Sequence, residues 1–167
     1  MEHRRLHIKD LDSYYENRLR ALQNSPHAFL TTFEEEKTNG NSHFSKIMSG
    51  TSERNLIFGA IEGGTVIGTI GIVQEDRPKT KHKAMIWGMY IDVGFRKLGI
   101  GKKLLDLAID HARVKMKVSG IYLSVEADNK GGLALYESRG FKCWGTEPKA
   151  MHLDGCFFDE HHMALIF

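Results

Sequence analysis

The stretch from Lys83 to Glu126 constrains the fold more than any other part of the chain. A β-rich run, "KAMIWGMYI", passes through the turn "RKLGIG" into an amphipathic helical run, which returns through Gly120 into the β-rich "GIYLSVEA". Strand, helix, strand in that order is a parallel crossover, right-handed in nearly all known cases. Just upstream, "NLIFGAIEGGTVIGTIGIVQ" holds two β-rich runs separated by Gly63 and Gly64, a hairpin signal. With "KAMIWGMYI" these runs form an antiparallel meander of three strands, so the sheet that contains all four must be mixed.

The remaining periodicities fill in the order. "RRLHIK" alternates as a short first strand, and "DLDSYYENRLRAL" carries Leu11, Tyr14, Tyr15, Leu19 and Leu22 at helical spacing behind Asp10 or Asp12 as cap. Short helices are expected around Thr32 to Lys37 and Ser42 to Met48. After the glycine turn, Leu104, Leu105, Ala108 and Ala112 form the apolar stripe of a helix whose other face holds Lys103, Asp106, Asp110 and Arg113. In "DNKGGLALYESRGF", Asp128 or Asn129 caps a further helix, and Gly140 suits the left-handed position after it, with Phe141 folding back. Two strands, Lys142 to Thr146 and Phe157 to Ile166, close the chain. The expected fold class is α/β, with a mixed central sheet of about 6–7 strands, antiparallel in its first half and with the parallel crossover at its centre, flanked by helices. At 167 residues we expect one domain spanning 1–167.

Composition excludes several functions. A net charge of +2 argues against nucleic acid as partner, and no apolar run is long enough for a membrane span or a secretory leader, so a cytoplasmic protein is expected. Cys143 and Cys156 lie in no paired or zinc-like pattern and are expected as free thiols. In "DEHHMALIF" the adjacent Asp159, Glu160, His161 and His162 alternate between strand faces and cannot converge on one ion, so no metal is expected.

The turn between strand and helix is an anion seat in outline. Free amides at a helix start, the helix dipole and glycine without Cβ all favour a phosphate. A Walker loop is ruled out because Lys103 follows Gly101-Lys102, and a dinucleotide loop because Leu104 stands at the third glycine position.

"RKLGIG" fits the pattern Arg/Gln-x-x-Gly-x-Gly, and "NKGGLALYESRGF" resembles Asn-x-x-Ala-x-x-Leu-Tyr-x-x-x-Gly-Phe. In this order and spacing the two resemble the signatures of the GNAT superfamily of acetyl-CoA-dependent N-acetyltransferases. The resemblance covers about Ile57 to Phe141. It implies acetyl-CoA as acetyl donor, bound where the fourth and fifth strands splay, and direct transfer to a primary amine of an acceptor that the sequence leaves unidentified; we expect a small molecule ahead of a protein, with a protein N-terminus still open. Backbone groups of Met89, Tyr90 and Ile91 would pair with the pantetheine arm and the acetyl carbonyl. Amides of Lys97, Leu98, Gly99, Ile100, Gly101 and Lys102 would hold the pyrophosphate, with Arg96 and Lys102 adding charge at the rim. Asn129 would hydrogen-bond the cofactor, and Tyr136 would act as general acid toward the departing thiolate. A phenol of pKa about 10 serves a thiol of pKa near 8.5 without a steep climb. Monomer and homodimer are both open.

Two departures stand out. Gly132 replaces the usual alanine, and Ser124 stands where several peptide-acetylating members place a glutamate base. Glu126, two residues on and on the same strand face, is the candidate base in its place, with His82 and His152 as weaker alternatives. Phe29, Phe33, Phe157 and Phe158 are candidate linings of an acceptor pocket, and Glu34, Glu35 and Glu36 read as a solvated helix face. The acceptor-choosing segments are expected at Ser25 to Gly50 and in a loop from Lys149 to Asp159. The alternative reading is an acyl-CoA-binding sensor or regulatory module without turnover.

Overall fold

The computed structural model describes residues 1–167. Seven strands form one sheet: β1 (Glu2–Arg5), β2 (Asn55–Glu62), β3 (Thr65–Gln74), β4 (Lys83–Ile91), β5 (Gly120–Glu126), β6 (Lys142–Leu153) and β7 (Cys156–Ile166). Their spatial order is β1-β2-β3-β4-β5-β7-β6, antiparallel throughout except for the β4–β5 pair. The mixed sheet read from the sequence is therefore present, with its parallel pair at the centre. Five helices flank it: α1 (Leu11–Asn24), α2 (Phe33–Asn39), α3 (Ser42–Ser49), α4 (Ile100–His111) and α5 (Lys130–Glu137). None is long and apolar enough to cross a membrane.

Each face of the sheet buries its own apolar cluster. On one face, Leu104, Leu105, Ala108 and Ala112, all fully buried, pack against Ile70, Ile72, Ile121 and Leu123, as the helical stripe requires. On the other, Tyr14, Phe44, Ile47 and Met48 from α1 and α3 cover Leu6, Ile57 and Val66. The β2–β3 hairpin turns at Gly63 and Gly64, both with positive φ (+56° and +83°), the pair of left-handed residues that a two-residue hairpin needs.

Three boundaries differ from the sequence reading, each for a local reason. The first strand ends at Arg5, because the Asp10 carboxylate accepts the His7 N–H (2.9 Å) and both Arg4 guanidinium nitrogens (2.7 and 2.9 Å), winding residues 8–10 into a turn. Asp10 thus occupies the α1 cap position without its side chain capping that helix. The sixth strand runs on to Leu153 rather than stopping at Thr146. Pro148 interrupts the pattern, but a bulge with Lys149 at φ +55° absorbs it, held by Lys149 N–H on Asp159 Oδ1 (2.7 Å). Consequently the closing hairpin, which the sequence "LDGCFFDEHHMAL" leads one to expect, takes in most of the Lys149 to Asp159 segment and turns at Asp154 and Gly155, with φ of +49° and +78°.

Candidate active site

β4 and β5 share only three rungs, Lys83 with Gly120, Ala84 with Ile121 and Met85 with Tyr122, and then part toward their C-terminal ends. The cause lies in β4. Its register against β3 slips between Thr69 and Gly71, with Gly88 at φ +61° forming the bulge, and the added twist carries the end of β4 away from β5. Asp92 N–H donates to Ile67 O, so by strand alternation Tyr90 turns its backbone to β3 while Met89 and Ile91 turn theirs into the gap. Of the three backbone positions expected to face a ligand, Tyr90 is thus the exception. Its hydroxyl instead accepts from Asn24 Nδ2 (3.1 Å) on α1. On the opposite wall, Ala127 N–H donates to Asp159 O, so Ser124 and Glu126 present their backbone toward β4.

At the mouth of this gap the turn from Arg96 to Lys102 carries six consecutive amides, Lys97 through Lys102, that donate to no protein acceptor. The helix ladder begins only with Lys103 N–H on Gly99 O (3.2 Å). The two glycines have separate reasons. Gly99 sits at φ +77°, whereas a Cβ on Gly101 would meet Leu135 Cδ2 at 3.2 Å and Met89 Cε at 3.4 Å, so Gly101 serves the packing of α4 on α5 and β4. Lys97 adopts φ +64°, which curls the turn. Arg96 folds back, its Nε donating to Ile91 O (3.0 Å) and its guanidinium 5.5 Å from the Tyr90 ring centroid.

α5 brings two further expected residues to the gap. Asn129 is its cap: Oδ1 accepts from Gly132 N–H (2.9 Å), which leaves Nδ2 without a protein partner. A Cβ at position 132 would lie 2.9 Å from Asn129 Nδ2, so the glycine that replaces alanine there makes room for the cap. The helix ends as expected, with Gly140 at φ +85° and Phe141 N–H returning to Tyr136 O (3.2 Å). Tyr136 is 7% exposed, edge-on to Phe141, and its hydroxyl donates only to the thioether of Met89 (3.4 Å). Burial pushes its pKa up to about 12. The phenol is therefore a firmer proton holder than the ordinary value near 10 suggested, and the climb to a free thiolate is correspondingly steeper.

On the face of α1 and α2, Glu126 is 8% exposed rather than solvated, with His27 Nε2 3.5 Å from Oε2. His27, in the turn after α1, stacks on Phe158 of β7 at 5.4 Å, so one of the four expected aromatics does reach this wall. Phe29 lies under Arg18 instead, 4.9 Å from its guanidinium. The Glu34 to Glu36 run is not one solvated face. Glu35 closes a capping box with Thr32, and Glu36 is buried against Arg18 (3.0 Å). His82 offers its backbone carbonyl to Ser119, and His152 stacks on Phe157 at 4.6 Å. His161 and His162 point to opposite faces, as alternation demands: His161 Nδ1 meets Thr146 Oγ1 (2.8 Å) and His162 Nδ1 meets Ser124 Oγ (2.9 Å). The hydrogen-bonded set Ser124, His162 and Glu147 was not found from sequence. The Asp154-Gly155 hairpin signal fixes the register that brings them together, and it was the clue available.

A parted parallel pair with six free amides at its mouth leaves a gap whose entrance can seat an anion, and sequence comparison gives the family. Residues 13–141 match the acetyltransferase (GNAT) family. The chain belongs to that family. It is 34% identical over 105 residues to the N-alpha-acetyltransferase RimI of Mycobacterium tuberculosis, a match covering 62% of this chain and 63% of that protein. It is 28% identical over 103 residues to the L-amino acid N-acetyltransferase AaaT of Escherichia coli, again 62% and 63% of the two chains. The matched segment thus spans under two thirds of either relative. Among solved structures, the fold superposes on yncA from Salmonella typhimurium with its cofactor acetyl-CoA at a TM-score of 0.85, 19% identity and coverage of 99% and 93%. An acetyltransferase of the GNAT family from Streptococcus pneumoniae gives 0.83 and 21%, with 99% of each chain covered.

Proposed function

We propose that residues 1–167 act as a single cytoplasmic N-acetyltransferase domain that moves the acetyl group of acetyl-CoA directly to a primary amine, that of a small molecule in preference to a protein. The observation that carries this reading is the run of six unpartnered amides at the mouth of the β4–β5 gap. Such a run fits a pyrophosphate, and the residues around it fit the rest of the molecule. Met89 and Ile91 amides line the gap where the pantetheine arm and thioester carbonyl would lie, with Arg96 and Lys102 at the rim and Asn129 Nδ2 free to donate. The relatives' names, one an N-alpha-acetyltransferase and one an L-amino acid N-acetyltransferase, point to amine acceptors of more than one size.

When bound, acetyl-CoA supplies an activated acyl group, and the protein's own groups supply position and protons. The Met89 and Ile91 amides, turned into the gap, would stabilise charge developing on the thioester carbonyl. Tyr136, held protonated by burial, would hold its proton at the gap wall for the departing thiolate. Cys143 and Cys156 are both free and exposed, and direct transfer requires neither as an acyl carrier.

The test is thiol release from acetyl-CoA over a panel of free amino acids, polyamines and an alanine-initiated peptide. Wild type should turn over at least one amine. Tyr136→Phe should lose about 10²–10⁴-fold in kcat with acetyl-CoA affinity unchanged. Saturable acetyl-CoA binding with no thiol released from any amine would sink the enzyme reading in favour of a sensor.

A further inference from the structure

One hydrogen-bonded chain of side chains lies outside everything assigned so far. Ser124 on β5 is exposed, and its Oγ is 2.9 Å from His162 Nδ1 on β7. His162 Nε2 is in turn 3.2 Å from Glu147 Oε2 on β6. Three neighbouring strands thus contribute one residue each, at levels set by the ladder: Ser124 opposes His162, and Glu147 lies two rungs on, opposite Glu160 and on the same face. Trp144 stacks on the imidazole at 5.4 Å with the planes 28° apart, which fixes the ring. The set opens on a groove of ≈ 220 Å³ whose floor is Ala84, Met85 and Tyr122, the residues at the last rungs before β4 and β5 part. The closed end of the gap and the serine hydroxyl therefore share one space.

The chemistry of the order is specific. A carboxylate can only accept, so Nε2 carries the proton toward Glu147, and Nδ1 is left as an acceptor for the serine O–H. His162 is then a base directed at Ser124; both line the groove, Ser124 as the exposed hydroxyl, while Glu147 lies outside it. The exposed carboxylate of Glu147, 57% accessible, gives the proton a way out to water.

We propose that Ser124, His162 and Glu147 form a relay that removes the proton of the acceptor amine during acetyl transfer. This rests on the acetyltransferase reading and assigns the base that reading leaves open. Ser124 Oγ takes a proton from the acceptor ammonium and passes its own proton to His162 Nδ1, which frees the nitrogen lone pair; the neutral amine would then form the C–N bond as the thioester C–S bond breaks, the departing thiolate taking the Tyr136 proton. The imidazolium that results is stabilised by Glu147 and returns its proton to solvent. No bond to Ser124 is made, and proton count and charge are conserved at each transfer. Other charged groups facing the imidazole are Glu160 on its own strand and, across the groove, Lys83 and Glu75. Glu126, two residues along β5 from Ser124, and His27 beside it serve as the wall of the acceptor site in this scheme, not as its base.

Two readouts test the relay. The first needs no activity: ¹⁵N shifts of His162 in the cofactor-free protein should show the Nε2–H tautomer. An Nδ1–H tautomer overturns the proposal. The second uses the amine that wild type acetylates best. His162→Gln and Ser124→Ala should each lower kcat about 10²-fold or more near neutral pH, with acetyl-CoA affinity unchanged, and the deficit should shrink as pH rises and the amine deprotonates by itself. Ser124→Thr, which keeps the hydroxyl, should recover most of the loss, and free imidazole should partly rescue His162→Ala. An active wild type with His162→Gln equal to it overturns the relay alone. A wild type inactive on every amine overturns the acetyltransferase reading and the relay with it.

Discussion

The mouth of the β4–β5 gap and the opposite face of the same strands are built from different materials. At the mouth, the ligand-facing groups are main-chain amides from one continuous turn, Lys97 to Lys102. On the far face they are side chains drawn from β5, β6, β7 and the turn after α1: Ser124, Glu147, His162, Glu126 and His27. A backbone seat tolerates side-chain change as long as the chain path holds. A side-chain site tolerates loop change only as long as the register holds, and each member is replaceable singly. The donor end can therefore stay fixed while the acceptor end varies by point substitution.

The largest expected effect comes from bending the backbone seat. Gly101→Val places branches against Leu135 and Met89, already 3.2 and 3.4 Å from a bare Cβ, and forces the first turn of α4 off α5. Overpacking of that kind costs about 1–3 kcal/mol of stability. We expect acetyl-CoA to bind about 100-fold more weakly, by calorimetry, which is ~2.7 kcal/mol of lost alignment. Lys102→Ala, which removes a charge but no amide, should cost about threefold or less. Equal losses in the two variants would break the comparison, since the seat would then be a charge cluster and not a backbone cradle.

The same division explains what could be read from sequence. The glycine turn, the α4 stripe, the Asn129 cap and the Gly140 stop are contiguous patterns with local causes, and each formed where it was expected. The roles expected of Tyr136, Asn129 and the amide run depend on a resemblance, but their meeting at one gap follows from topology, since all three lie at C-terminal ends of β4 and β5 or just after. The far face was opaque because its parts meet only through register. Ser124 and His162 lie thirty-eight residues apart in the chain, and nothing near either one names the other. Pro148 hides half of β6, so Glu147 falls just past the strand end expected at Thr146 and is not seen as a neighbour of His162. Burial was equally invisible: Glu36 and Glu126 carry the charge of solvated residues and sit at 6% and 8% exposure.

A middle-sized effect probes one of those buried carboxylates. Glu36 accepts from Arg18 Nε (3.0 Å), and both side chains are nearly covered, at 8% and 12%. Removing one partner leaves the other charge without compensation, so Glu36→Gln should destabilise by about 3 kcal/mol in urea unfolding. Because this pair clamps α2 to α1 near His27, amine KM should rise while acetyl-CoA affinity stays. A change confined to acetyl-CoA would mean that the two sides of the gap are not separately built.

The smallest effects set two acids from opposite edges of the sheet against each other. At the β1 edge, the Arg4 guanidinium, followed by the His7 amide, holds the Asp10 carboxyl below its usual range. A depressed folded pKa means stability that is full above the unfolded value of about 3.9 and lost as pH falls through the lower folded value. Near β6, burial lifts the Glu160 carboxyl above its usual range, with Glu147 adding to the rise and His162 opposing it. Here the sign reverses. Below the unfolded pKa of about 4.3 the residue is neutral in both states and indifferent; as pH rises toward the raised folded value, ionisation costs more in the fold than in the open chain, and above it the penalty is constant. Asp10→Asn should therefore lower the melting temperature at pH 7, with the difference closing only in strong acid. Glu160→Gln should raise it modestly at pH 7 and leave it unchanged below pH 4. Melting curves of both variants between pH 3 and 8 decide the matter, and two curves that shift in the same direction at neutral pH would show that the carboxylates of the acceptor face are compensated as well as those of the β1 edge.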